Sequence, residues 1–166
     1  MSSRVRGPVR AVVLAAVLGG SACHPLQFVA DRRLRFTAPA ARTTVHQLPM
    51  TVSWTMRDFA TNGAGSGTFA VFVDTPPIKV GQDIKAVAAG DASCKRDPRC
   101  PDAKYLSDRG VYVTKDPSVE LGSFASDGGK TRHHRVTVIL LDAAGRRFSE
   151  SAWNISFKLA SGVRAA

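Results

Sequence analysis

Arg135-Val136-Thr137-Val138-Ile139-Leu140-Leu141 is an unbroken run of β-forming residues, closed by the turn Asp142-Ala143-Ala144-Gly145 and followed by a second stretch, Phe148 to Leu159. In that second stretch Trp153, Ile155, Phe157 and Leu159 all point one way, the period-two pattern of a strand with one buried face. Val52, Trp54 and Met56 repeat the pattern against Thr51, Ser53 and Thr55. Thr68 to Asp74 is apolar enough for a strand buried on most of both faces. Leu34 and Phe36, alternating with Arg33 and Arg35, predict a first strand; Val111 to Thr114 and Ser118 to Phe124 predict two more, joined by Asp116-Pro117. Glycine-rich Asn62 to Gly67, Pro76-Pro77 and Asp127-Gly128-Gly129 break the chain between them. About seven strands with almost no helical periodicity predict an all-β, antiparallel β-sandwich over residues 31–160, with Trp54 and the aromatic stripe of the last strand meeting between the sheets. The final residues, 161–166, read as a disordered tail.

From His134 to Gly145 the chain resembles the penultimate strand and turn of bacterial immunoglobulin-like and fibronectin type III-like domains. There a Val-Thr-Val strand is followed by Asp-x-x-Gly and the last strand. The resemblance runs from His134 to Leu159, with weaker support from Thr51 to Trp54. It implies an immunoglobulin-like β-sandwich; such domains serve as spacers, adhesins and ligand-binding modules alike, so it implies no single function.

The first 22 residues have a different composition. Arg4, Arg6 and Arg10 form a basic head, Ala11 to Leu18 is Ala, Val and Leu throughout, and Gly19-Gly20-Ser21-Ala22 precede Cys23. That order is the layout of a secretory signal. With a cysteine directly after the small residues, it resembles a bacterial lipoprotein signal. The resemblance implies lipidation of Cys23, an exported chain anchored to the membrane of the cell envelope through that lipid, and a tether over residues 23–30. Setting aside the three arginines of the leader lowers the formal charge from +10 to +7.

Cys94 and Cys100 are then an even pair in an oxidising compartment, which predicts a disulfide. They lie in the least regular part of the chain, 75–109, where Ile84 to Ala89 reads as a short strand or one helical turn. Long connections in compact domains are often functional. This excursion is therefore the candidate recognition surface, centred on Lys95, Arg96, Arg99 and Tyr105. The alternative is a stapled segment that covers a sheet edge.

Motifs for chemistry are weak. Gly63-Ala64-Gly65-Ser66-Gly67 has its serine misplaced for a nucleophile elbow and lacks the pattern of a phosphate loop. Adjacent His133 and His134 point to opposite faces of a strand and read as its solvated start rather than a metal pair. His46, Met50 and Met56 are soft-metal types, but Met56 shares its face with Trp54 and reads as core. Nothing in the spacing of the carboxylates singles out a catalytic pair. The basic residues come in short groups without interleaved aromatics, which argues against nucleic acid as partner. The expectation is a lipid-anchored, non-enzymatic envelope module without cofactor or metal, whose partner is an envelope protein or an anionic envelope polymer. The alternative is a small exported enzyme or ligand-binding accessory subunit using the excursion, with Asp83 or Asp108 beside a histidine.

Overall fold

A computed structural model of the chain describes residues 31–63, 65–124 and 133–163. The expected leader, the lipidated Cys23, the tether and residues 164–166 of the tail lie outside the described residues. So does the Asp127-Gly128-Gly129 break.

The strands are β1 (Leu34–Ala38), β2 (Thr44–Val45), β3 (Met50–Met56), β4 (Thr68–Val73), β5 (Val111–Thr114), β6 (Ser118–Leu121), β7 (His133–Leu141) and β8 (Trp153–Leu159). They form two sheets, ordered β1-β3-β6 and β2-β8-β7-β4-β5. Every pairing is antiparallel except that of β2, whose Thr44 and Val45 run parallel to Lys158 and Leu159. The expected wholly antiparallel arrangement therefore departs at one edge. Two residues between prolines carry too little periodicity to be read as a strand. The last strand begins at Trp153, not Phe148, because Arg147 to Ser151 is drawn into the side-chain bonding described below.

The inner faces of the two sheets build one apolar core. Val52 and Trp54 of β3 and Leu121 of β6 meet Phe69 and Val71 of β4, Val136 and Val138 of β7, and Trp153, Ile155 and Phe157 of β8. Period two selects these residues, and each fully buried aliphatic or aromatic side chain contributes about 1.5–3 kcal/mol. Trp54 and the stripe of the last strand thus share a core, with the Trp54 ring edge-on to Phe69 at 5.2 Å.

β4 and β7 are buried on both faces, so the five-stranded sheet needs a second cover. The excursion supplies it. Ile78 and Leu106 pack on Ala70 and Phe72 of β4, Val111 of β5, and Ile139 and Leu141 of β7. The segment lies against the face of the sheet, whereas the sequence suggested an edge. It consists of two 3₁₀ turns, Ile84–Ala88 and Cys94–Arg96, and one helical turn, α1 (Ala103–Ser107), capped by the Asp102 carboxylate accepting from Tyr105 N. It returns to β5 through Gly110 at φ +70°, where a Cβ would stand 2.7 Å from the Val73 carbonyl oxygen. The Asp-x-x-Gly turn after β7 also has a local cause. Asp142 Oδ1 accepts from Ala144 N and Arg146 N, both at 2.9 Å, and Gly145 takes φ +77°.

Candidate functional site

The excursion is organised around one carboxylate. Asp91 accepts from Ser93 Oγ, from the backbone N–H groups of Ser93 and Cys94, from Tyr105 OH at 2.9 Å and from Arg109 Nη2 at 2.9 Å. The Arg109 guanidinium lies 3.6 Å over the Tyr105 ring. Hydrogen bonds from Ser93, then Tyr105, hold the Asp91 carboxyl well below the usual carboxylate range. Burial, reinforced by the bond to Asp91, pushes the Tyr105 phenol up. Cys94 and Cys100 are joined, with Cα atoms 5.1 Å apart, and fix the chain next to this cluster.

The four residues singled out by sequence divide accordingly. Tyr105 belongs to the Asp91–Arg109 cluster and holds the excursion together. Lys95, Arg96 and Arg99 sit together at the exposed disulfide loop. Arg96 Nε reaches the Ala92 carbonyl at 3.3 Å, and Arg99 stands 3.7 Å from Asp97 with both side chains mostly in water. Such exposed pairs contribute about 0–1 kcal/mol. Asp97 lies among these bases and Asp102 follows just after the loop, so the segment is mixed in sign.

Asp83 and Asp108, the acids expected beside a histidine, have local tasks. Asp83 caps the first 3₁₀ turn through Lys85 N, and Asp108 pairs with Lys104 Nζ at 2.9 Å. Among the described residues, the carboxylate that meets a histidine is Asp74. Its Oδ2 lies 2.6 Å from His134 Nδ1, while its Oδ1 accepts from Arg135 N at 2.8 Å. Asp74 sits at φ +54° just past β4, a backbone state that aims the carboxylate back at β7.

His134 corrects the reading of both histidines as a solvated strand start. His133 is exposed, but His134 is only 4% exposed and its ring lies 4.3 Å from Phe124 and 6.0 Å from Phe157. It shares the inner face of β7 with Val136, Val138 and Leu140, so period two already carried the signal. Its Nε2 is buried with no hydrogen-bond partner among the described residues. Asp74 thus fixes the imidazole orientation and closes the end of the core. The soft-metal types do not gather: Met50 and Met56 pack into the inter-sheet core, and His46 is exposed. Among the described residues, no group of three or more metal-ligating side chains comes together.

Arg147 is a residue that sequence reasoning missed. It is 7% exposed, and its guanidinium donates to the carbonyl oxygens of Ile78 at 2.6 Å, Ser149 at 2.9 Å, Glu150 at 3.0 Å and Ser151 at 3.4 Å. Burial lowers its pKa, with the Glu150 charge acting against that. It ties the start of the excursion to the loop between β7 and β8.

Two cavities flank the excursion. One of about 360 Å³ lies beneath it between Phe72, Ile78, Val87 and Val111, with Arg109 at its wall. One of about 460 Å³ opens beside Tyr112, Ser107, Asp108 and Phe124.

No protein-family model, curated protein or solved structure matches this chain.

Proposed function

We propose that this chain is a lipid-anchored, non-enzymatic module of the bacterial cell envelope, with an immunoglobulin-like domain that binds an anionic envelope polymer or another envelope protein. The observation that carries the fold part is the strand order. Reading β1, β3 and β6 as strands A, B and E, and β4, β7 and β8 as C, F and G, reproduces the division of an immunoglobulin-like sandwich, with β5 added beside C. The resemblance of His134–Gly145 to the F strand and following turn agrees with that assignment. The anchoring part rests on the leader and Cys23. Bacterial lipoproteins carry two or three acyl chains, which meets the requirement of more than one chain for stable anchoring.

The excursion supports a binding role over a catalytic one, because its polar groups are engaged in holding the excursion itself together. Asp91, Tyr105 and Arg109 bond to one another, and Asp83 and Asp102 cap turns. Mass spectrometry of the mature N-terminus tests the anchor. The expected product begins at an acylated Cys23, and Cys23→Ala is expected to release the protein from the membrane fraction. An unmodified chain beginning elsewhere overturns lipidation. Cross-linking and co-purification from the native envelope then test the partner class. The 360 Å³ cavity favours one second reading, a ligand-binding accessory subunit or small exported enzyme that uses the 75–109 excursion. A soluble ligand whose binding is abolished by Val87→Trp would establish it.

A further inference from the structure

Among the described residues, Phe148 is the large hydrophobic side chain that stands furthest into water, at 50% exposure. It lies in the loop after β7 and its ring stacks on Phe59, in the loop after β3, at 6.2 Å. Phe59 in turn meets Phe69 of the inner core at 5.2 Å. The core aromatics thus continue outward and end on an open ring. Gly81 N donates to Arg147 O at 2.7 Å, which sets Val80, at 39% exposure, at a backbone position next to Phe148. Exposed apolar side chains that come together in this way mark a surface for an apolar partner, whereas single ones need no explanation.

The same end of the sandwich receives the chain. Asp31, the first described residue, accepts from Ser151 Oγ at 2.6 Å through its carboxylate and from Trp153 Nε1 at 2.7 Å through its carbonyl, just beyond Phe148 in the chain. The Arg33 carbonyl accepts from Arg57 N at 3.1 Å, two residues before Phe59. Both loops that supply the aromatic pair are therefore tied to the start of the fold. If Cys23 carries the lipid, residues 23–30 alone separate the bilayer from this point, and eight residues span at most about 28 Å. The end with Phe148 is then the end held nearest the membrane. The exposed charges there are mixed in sign, Arg32 and Arg57 against Asp58 and Glu150, and Arg33 is paired with Asp31 at 2.8 Å. Such a set gains little from an anionic surface. The open ring is what offers a gain to a lipid interface.

We propose that Phe148, backed by Phe59, is a membrane-contact site that rests the domain on the phospholipid bilayer, with its ring at the boundary between headgroups and acyl chains. The proposal rests on the reading of Cys23 as the lipid anchor and goes beyond it by naming the face that meets the membrane. The anchor confines the domain and so raises the effective concentration of bilayer at Phe148. One ring, too weak to bind from solution, is then enough to orient the fold.

The test places the acylated protein in vesicles of phosphatidylcholine and phosphatidylglycerol, with or without bromine on the acyl chains. Bromine quenches tryptophan at that depth. Phe148→Trp is compared with His133→Trp, an exposed position at the other end of β7, about 27 Å along the strand from Leu141. Trp54 and Trp153, both buried, give the common background. The added emission of Phe148→Trp is expected to fall at least about twofold on brominated vesicles, and that of His133→Trp to stay unchanged. Raising the salt is expected to leave the quenching in place. Equal quenching at both positions, no quenching at position 148, or quenching that salt abolishes overturns the proposal. So does emission that follows the surface density of the protein rather than bromination, which would make the occupant a second copy of the chain. An unfolding midpoint matching the parent shows that each variant is folded. Hydrogen exchange on the unsubstituted chain needs no variant: amides of 57–60 and 147–150 are expected to slow on vesicles relative to Cys23→Ala in solution, and those of 94–100 to stay unchanged. The mass of the N-terminus, read on the same sample, separates the two failures. A chain without acyl groups overturns the anchor and this contact with it, whereas an acylated chain without quenching overturns the contact alone.

Discussion

The two faces of the five-stranded sheet are covered in different ways. Its inner face meets another sheet, and the contact is a broad apolar surface drawn from five of the strands and completed by Leu34 of β1. Its outer face meets a 3₁₀-rich excursion that brings few large apolar side chains, chiefly Ile78 and Leu106; the Asp91 cluster and the disulfide hold that excursion in shape, and the Arg147 guanidinium ties its start to the loop after β7. Where secondary structure repeats, burial alone suffices. Where it does not, polar and covalent ties take over, because a short irregular segment cannot bury enough surface to offset the entropy of ordering it.

The largest effect is expected from cutting the inner core. Phe157→Ala, at a position 1% exposed, should cost about 3–5 kcal/mol and lower the midpoint of the whole domain in denaturant unfolding. Leu106→Ala in the outer layer should cost about 2–3 kcal/mol. Equal losses, with equal loss of amide protection in both layers, would erase the distinction between them.

The next effect is that of the disulfide. Cys94→Ser/Cys100→Ser opens a loop whose closure is worth about 2–2.5 kcal/mol by chain entropy. Hydrogen exchange should show faster opening of amides in 84–107 while those of β4 and β7 keep most of their protection. Uniform loss of protection across the sheet would mean that the excursion and the sandwich unfold as one unit.

The smallest effect is a pH dependence. The Asp91 carboxyl is held below its ordinary value in the folded state, and so is that of Asp31, chiefly through Arg33. A lowered folded pKa contributes stability that is complete above the ordinary carboxylate value of about 4 and disappears as the pH falls toward the folded value. The thermal midpoint of the native chain should therefore fall below about pH 4, and its advantage over Asp91→Asn should shrink as the pH is lowered from about 4 to about 2. An advantage that stays constant across that range would show that Asp91 contributes nothing through its charge.

Much of the inner face was legible in the chain itself. Val52, Trp54, Phe157 and their neighbours alternate with polar residues, and a strand exposes that alternation directly. The Asp142–Gly145 turn and the Cys94–Cys100 pair were equally readable, since each depends on residues within seven positions of one another. The first-named recognition surface was only partly legible. Lys95, Arg96 and Arg99 are exposed as expected, but Tyr105 is turned toward an acid fourteen residues away.

The sequence by itself determined the β class, the inner faces of the strands, the turn after β7 and the disulfide, because periodicity, turn chemistry and close cysteine spacing are local properties. Tertiary structure alone decided which polar groups found partners. His134 meets Asp74 across sixty positions, and Arg147 meets Ile78 across sixty-nine. Charge complementarity depends on which strands become neighbours, and that is fixed only when the sheets close.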